Sequence, residues 1–123
     1  MTTYLELGDA LYVTKALGFS VTDAGLLGSA MLRPSISLFG VDIYPTIEDK
    51  AAALVHSIAK NHALVDGNKR TTWTLMVAFL FQNGYKHNFT EAEGMDFVLG
   101  IATDELSLEH AAEMIRQHLV PLS

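Results

Sequence analysis

The chain has 123 residues, half of them hydrophobic, and a formal net charge of −6. This length fits a single domain over residues 1–123, and the acidic balance argues against a protein that coats nucleic acid through a basic surface. The absence of cysteine excludes disulfides, thiol catalysis and thiolate zinc sites. No signal-peptide pattern opens the sequence, and the longest apolar run, Leu75 to Phe81, is too short to span a bilayer, so we expect a cytoplasmic protein.

Helical spacing of apolar residues, framed by capping and stop residues, recurs along most of the chain. The predicted helices run from Asp9 to Leu17, from Asp23 to before Pro34, from Pro45 to near Asn61, from about Asn68 to Gln82, after Thr90 and after Ser107. The fourth is apolar nearly all round between Trp73 and Phe81, which predicts a central position. The expected architecture is an all-α, compact bundle of about six helices with a buried central helix.

The stretch from Ser35 to Tyr44 has a different pattern. Apolar residues alternate with serines and are interrupted by Gly40, which predicts at most one short β-hairpin. An ordinary loop is the plain alternative. The functional alternative is a strand edge that holds a segment of a target protein by β-addition.

The nine residues from His62 to Arg70, here called the motif segment, concentrate the chemistry of the chain. His62 titrates near neutral pH and can take a proton from a hydroxyl, and Asp66 offers the hard oxygen ligand that Mg²⁺ prefers. Gly67 and the helix start from Asn68 to Arg70 offer backbone N–H groups and two cations to a phosphate. A base, a metal ligand and a phosphate cradle together predict phosphoryl or nucleotidyl transfer.

The motif segment resembles the signature of the Fic/Doc family, and specifically its Doc (death on curing) toxin branch. The Doc pattern is His-x-Phe-x-(Asp/Asn)-(Ala/Gly)-Asn-Lys-Arg, and His62 and the five residues from Asp66 to Arg70 match it. Lys69 and Trp73 stand where the Fic pattern has a glycine and a second arginine, so both departures favour Doc. Leu64 replaces the pattern's phenylalanine, which is a tolerable apolar exchange.

The resemblance implies a toxin of a toxin–antitoxin pair that transfers the γ-phosphate of ATP, with Mg²⁺, to a protein hydroxyl. It implies a threonine of elongation factor Tu as the acceptor, arrested translation as the result, and a Phd-like antitoxin as the partner. His62 would be the catalytic base, Asp66 the metal ligand, and Gly67 and residues Asn68 to Arg70 the nucleotide ligands. An AMP transferase of the Fic type and a catalytically inactive partner-binding module remain the alternatives.

Other residues near the motif segment leave two interpretations open. Lys60 and Asn61 could contact phosphate or simply end a helix.

Three aromatic residues of the fourth helix are assigned to the core rather than to a base-stacking platform: Trp73, Phe79 and Phe81. The histidines outside the motif segment lack metal-ligand spacing and are expected to be surface or half-buried residues: His56, His87, His110 and His118.

Overall fold

The computed structural model describes residues 1–61 and 68–123, which form a helical bundle with two small sheets. The helices are α1 (Leu7–Leu17), α2 (Ala24–Leu32), α3 (Ile47–Asn61), α4 (Asn68–Gln82), α5 (Glu91–Ala102) and α6 (Leu108–His118), with a 3₁₀ turn over Arg33–Ser35. The strands are β1 (Ser37–Leu38), β2 (Val41–Asp42), β3 (Tyr85–His87) and β4 (Leu119–Pro121). The all-α prediction of about six helices is confirmed.

Helix α3 lies at the centre of the bundle and packs against α2, α4, α5 and α6. Its residues from Lys50 to Val55 are all buried, and three of them are consecutive alanines, Ala51 to Ala53. Small side chains let neighbouring helices approach on every side. Helix α4 also has neighbours on several sides, since it packs against α1, α3, α5 and β3, but Phe81, near its end, is 62% exposed despite the apolar run.

The N-terminus of α1 lies two residues before the predicted start. Glu6 is the capping residue, and its backbone N–H donates to the carboxylate of Asp9 at 2.8 Å. Asp9 is therefore the third helical residue of a capping box rather than the cap itself. The predicted caps at Asp23, Thr90 and Ser107 are confirmed, since each side chain accepts a backbone N–H of the following helix.

Strands β1 and β2 form the predicted hairpin, which we call the flap (residues 36–43). Ser37 pairs with Asp42 and Leu38 with Val41, so two residues make the turn. Those residues, Phe39 and Gly40, have φ angles of 51° and 79°. Positive φ at both positions is the geometry of the tight turn that matches the twist of a hairpin.

A second antiparallel pair, β3 with β4, was not predicted from the sequence. It joins Tyr85 to Pro121 and His87 to Leu119, and so fastens the end of the chain beside the C-terminus of α4. Each strand has only three residues, and the partners lie more than thirty positions apart. A pairing this short leaves no periodic pattern in the sequence, because its register is set by the helices that bring the strands together.

Candidate functional site

The motif segment lies between the end of α3 and the start of α4. His62, Asp66 and Gly67 lie outside the described residues, so their assigned roles stay predictions. Asn68, Lys69 and Arg70 form the first turn of α4, where the sequence predicted a helix start. Their backbone N–H groups are among those that have no acceptor within the helix.

The first turn of α4 has the charge opposite to the usual one. It contains two cations, Lys69 and Arg70, and no acidic residue. In contrast, α3 begins with Glu48 and Asp49, and α5 begins with two glutamates. The positive end of a helix dipole disfavours cations. This turn therefore carries electrostatic repulsion that an anion would relieve.

The side chains of this turn are accessible while its backbone is anchored. Lys69 and Arg70 are exposed, and the Arg70 guanidinium lies 6.0 Å from the centre of the Phe19 ring. One turn further on, the hydroxyl of Thr72 donates to the carbonyl of Asn68 at 2.6 Å. The anchored backbone holds the N–H groups in place, and the two cations can turn toward a bound anion.

Lys60 and Asn61, at the end of α3, both have structural partners. The Nζ atom of Lys60 lies 2.7 Å from Oδ1 of Asp104, and the Asn61 amide donates to the Leu26 carbonyl at 2.8 Å. Asn61 therefore joins α3 to α2 beside the motif segment. These contacts favour the interpretation that both residues complete the helix end, although an exposed ion pair is weak enough to be exchanged.

Arg33 is a residue of this region whose importance the sequence did not reveal. Its Nε donates to the Tyr44 hydroxyl at 3.0 Å, and its Nη1 lies 3.1 Å from both Nδ1 of His56 and Oγ of Ser57. Arg33 precedes the flap and Tyr44 follows it, so one guanidinium fastens both ends of the flap to α3. The only signal in the sequence was an arginine before a proline in a segment that otherwise reads as helix.

Burial lowers the pKa of His56, and the positive charges of Arg33 and Lys60 lower it further, against weaker opposing effects of two nearby carboxylates. His56 is therefore neutral at pH 7, so its Nδ1 can accept a hydrogen bond from Arg33. A charged imidazole at this distance would repel the guanidinium instead. The neutral ring thus keeps the root of the flap attached to α3.

The flap presents apolar side chains to solvent. Phe39 at its tip is 96% exposed, and the flanking positions are also exposed: Ile36, Leu38, Val41 and Ile43. Within the part of the chain that the structure describes, β1 and β2 pair only with each other. Each strand therefore has an outer edge that can pair with an extended segment of another protein.

The aromatic residues of α4 divide between the core and the surface. Phe79 is buried, whereas Trp73 is half-buried against His87 and Phe89, at centroid distances of 4.9 Å and 5.6 Å. Phe81 was predicted to lie in the core, but its side chain is 62% exposed. It lies near the C-terminus of α4, where the periodic pattern alone assigned it wrongly.

His56, His87 and His118 are half-buried and His110 is exposed, as predicted. Over residues 1–61 and 68–123, no three histidine or carboxylate side chains come close enough to hold a metal ion. Within the same ranges, no helix is both long and apolar enough to cross a membrane.

The described residues combine two exposed cations at the start of α4 with an exposed apolar flap. Residues 3–80 match the Fic/DOC family. Over 117 residues the chain is 44% identical to a protein named toxin Doc from Mycolicibacterium smegmatis (strain ATCC 700084 / mc(2)155), covering 91% of this chain and 90% of that protein. The chain belongs to the Fic/DOC family.

Membership of the Fic/DOC family makes the chain one of a group of transferases that act on nucleotide substrates. The likeness to toxin Doc supports a toxin of a toxin–antitoxin system, and hence an antitoxin partner. Both statements agree with the first turn of α4, where two exposed cations at the positive end of a helix fit a phosphate. Neither distinguishes transfer of a phosphate from transfer of AMP.

Proposed function

We propose that the chain is a toxin that transfers the γ-phosphate of ATP to a hydroxyl of a target protein. The observation that carries this proposal is the first turn of α4, where Lys69 and Arg70 lie at the positive end of the helix and the turn itself contains no acidic residue. A triphosphate with its terminal phosphate at this turn would have its charge offset by both cations. In the AMP-transferring relatives, a small residue occupies the position of Lys69.

His62 is the base in this proposal and Asp66 the ligand of Mg²⁺. His62 accepts the proton of the acceptor hydroxyl while the oxygen of that hydroxyl forms a bond to the γ-phosphorus. The bond from the γ-phosphorus to the β,γ-bridging oxygen breaks at the same time, and ADP is released. Bound Mg²⁺ would offset the charge of the phosphates. Gly67 and Asn68 contribute backbone N–H groups, and the side chains of Lys69 and Arg70 stabilise the charge that develops on the transferred group.

The flap is the proposed docking surface for the target. Its apolar side chains and unpaired strand edges suit an extended segment that adds as a third strand. Arg33 and Tyr44 hold the root of the flap to α3, whose next residues are the motif segment. A docked segment would therefore lie near the C-terminal half of α3, the helix that leads into the motif segment. A threonine of elongation factor Tu is the proposed acceptor, which would explain toxicity through arrested translation.

A Phd-like antitoxin is the proposed partner that blocks this activity. Large apolar side chains remain exposed on α1 and at the end of α4, including Tyr12 at 76% and Phe81 at 62%. An amphipathic segment of an antitoxin could bury such side chains. Co-expression with the small gene next to this one is expected to restore growth and give a complex on purification. Absence of both rescue and complex would remove the antitoxin from the proposal.

The decisive experiment compares α-labelled and γ-labelled ATP. The purified protein is incubated with Mg²⁺ and a cell extract, and we expect one dominant labelled protein of the size of elongation factor Tu, from γ-labelled ATP only. His62→Ala should reduce transfer by about 10²–10⁴-fold, as expected for loss of a general base. Lys86→Ala, at an exposed lysine of β3, is the matched control and should transfer normally.

The two alternatives predict different outcomes of the same experiment. Transfer of the α label would identify an AMP transferase of the Fic type and would make the interpretation of Lys69 wrong. Transfer of neither label, with active controls, would favour a catalytically inactive partner-binding module. Growth arrest by a folded His62→Ala protein that equals that of the unaltered chain would likewise contradict the catalytic assignment.

A further inference from the structure

A cavity of about 360 Å³ opens between α2, the root of the flap and the C-terminal half of α3. Its polar lining includes Arg33, Ser57, Lys60 and Asn61, and its apolar lining includes Leu26 and Ile36. This volume lies in the range of small-molecule sites, which combine apolar walls with a few polar groups. The cavity reaches Asn61 at the end of α3, and none of its described lining residues belongs to the first turn of α4.

Arg33 is the charged group that gives the cavity its chemistry. The guanidinium is half-buried, and none of its three hydrogen-bonding partners, Tyr44, His56 and Ser57, is a carboxylate. No carboxylate lies within ion-pair distance of it among residues 1–61 and 68–123. A buried or half-buried cation normally has an anionic partner, because removing its water costs free energy.

Lys60 supplies a second cation to the cavity. Its partner is Asp104, whose side chain is exposed to solvent. The Lys60–Asp104 pair spans 2.7 Å, but the carboxylate is 73% exposed. Exposed pairs of this kind contribute little to stability, so Lys60 can exchange Asp104 for another oxyanion. Among residues 1–61 and 68–123, the cavity therefore has one cation without a carboxylate partner and a second whose carboxylate partner is exposed.

We infer that this cavity binds the phosphate group of a small molecule, between Arg33 and Lys60, with the organic part of that molecule against Leu26 and Ile36. The hydroxyl of Ser57 lines the same space and can take part in a further hydrogen bond. A planar guanidinium and an ammonium group together suit the several oxygens of a phosphate. This site is additional to the transfer reaction and does not require it.

Binding is tested on the ¹⁵N-labelled full chain by NMR, with titrations of inorganic phosphate, AMP, adenosine and sodium chloride at constant ionic strength. We expect saturable shifts of the amides of Ser29, Arg33 and Ser57 with phosphate or AMP, and none with chloride. Tighter binding of AMP than of inorganic phosphate would assign the phosphate to a nucleotide-like molecule, and equal binding would assign it to free phosphate. Because no transfer occurs in this experiment, it succeeds or fails separately from the proposed reaction.

Four variants test the assigned groups. Arg33→Met should weaken phosphate binding by about tenfold or more, the usual effect of losing a charged hydrogen bond. Asp104→Asn should strengthen it by about two- to fivefold, because it releases Lys60 from an exposed pair; asparagine also tolerates the positive φ of 63° at this position. Ser29→Trp should block the cavity from its exposed rim while leaving the contacts of Arg33 in place, and Met95→Trp, on the exposed surface of α5, should change nothing.

Two results would overturn the inference. One is phosphate-dependent shifts confined to the amides of residues 68–70, which would assign all binding to the start of α4. The other is unchanged phosphate affinity in folded Arg33→Met. If Arg33→Met does not fold, Ser29→Trp and Asp104→Asn still decide: unchanged affinity in both contradicts the site, and loss in the first with a gain in the second supports it.

Discussion

The ammonium group of Lys50, a side chain only 2% exposed, lies 3.1 Å from Oδ2 of Asp42, whose side chain is 50% exposed. Lys50 also donates to the carbonyl of Tyr44 and lies 5.8 Å from the centre of the Tyr4 ring. Lys50 belongs to the core helix α3, and Asp42 belongs to the flap. This pair therefore joins the flap to the centre of the bundle and adds to the attachment made by Arg33.

Replacing the carboxylate of Asp42 should lower the free energy of unfolding more than replacing the ammonium group of Lys50. Asp42→Ala leaves a buried ammonium group without its carboxylate, whereas Lys50→Met removes the charge that needs compensation and keeps much of the volume. We expect Asp42→Ala to lower the free energy of unfolding by about 1–3 kcal/mol, reduced from the cost of a fully buried pair by the exposure of Asp42. Urea denaturation measures both changes.

The double variant Asp42→Ala/Lys50→Met is the control for this prediction. Once Lys50 is methionine, Asp42→Ala should add little, because no buried charge remains to be left unpaired. If the two single changes add up in the double variant, the two side chains are not coupled. Lys50→Met proving the more costly of the single changes would also contradict the assignment.

Lys69 is expected to reduce the stability of the free protein while it serves binding. Lys69→Gln should raise the free energy of unfolding by about 0.3–1 kcal/mol at low salt, because a cation leaves the positive end of α4 and the helix propensities of the two residues are similar. The same change should lower γ-phosphate transfer. Thermal or urea unfolding and the labelled-ATP assay measure the two effects.

The matched control is Lys15→Gln, in the last turn of α1, where a cation is favourable. This variant should lose stability by a similar amount and keep its transfer activity. Both effects should shrink as salt is raised, because the groups are exposed. A Lys69→Gln protein that is less stable than the unaltered chain would contradict the electrostatic account of the α4 start.

The sequence predicted the features that depend on local patterns. The helix caps at Asp23, Thr90 and Ser107, the hairpin around Gly40 and the start of α4 at Asn68 are all specified by residues within a few positions of one another. The sequence did not predict contacts between residues that are far apart along the chain. The Arg33–His56 contact spans 23 positions and depends on how the flap packs on α3, which no periodic pattern records.

The motif segment was identified by residue types at fixed spacing, but its chemistry depends on its surroundings. The sequence identified Lys69 and Arg70 as phosphate ligands. That their turn contains no acidic residue is notable only in comparison with α3 and α5, which both begin with acidic residues. Helix α3 packs against four other helices, and its consecutive alanines allow these helices to approach closely. An apolar run such as that of α4 reports burial on average, but it does not specify which helix has neighbours on every side.

Gly94 allows Trp73 to pack against α5. A Cβ atom at Gly94 would lie 2.8 Å from the Trp73 ring, and the ring is confined by His87 and Phe89. Gly94→Ala should therefore destabilise the protein by about 1–3 kcal/mol from overpacking, partly offset by a gain of about 1 kcal/mol in helix propensity. Trp73 is the only tryptophan, so its fluorescence reports the displacement directly.

Gly100→Ala, also in α5, is the matched comparison. There the added Cβ would lie 2.9 Å from a Cδ of Leu106, a flexible side chain that can move aside. The gain in helix propensity is the same, so this variant should be close to neutral and should leave the fluorescence of Trp73 unchanged. Equal losses of stability in the two variants would show that the fit of Trp73 against Gly94 is not the cause.

Stability should fall below neutral pH partly because of His87. Burial lowers the pKa of His87, and the nearby His118 lowers it further. Its Nδ1 accepts the backbone N–H of Phe89 at 3.1 Å, which the neutral ring permits and the doubly protonated ring does not. Because the pKa is lower in the folded than in the unfolded chain, this contribution is fully present above the unfolded pKa of about 6.5 and is lost as pH falls below it.

His87→Asn is the variant that isolates this effect, because the asparagine oxygen can accept the same N–H without titrating. The free energy of unfolding in urea is compared at pH 7.5 and pH 5.5 for both proteins. We expect the unaltered chain to lose more stability between these two values than His87→Asn does. His56 also has a lowered pKa but is present in both proteins, so its contribution cancels in the comparison. Equal losses in the two proteins would mean that His87 titrates as it does in the unfolded chain.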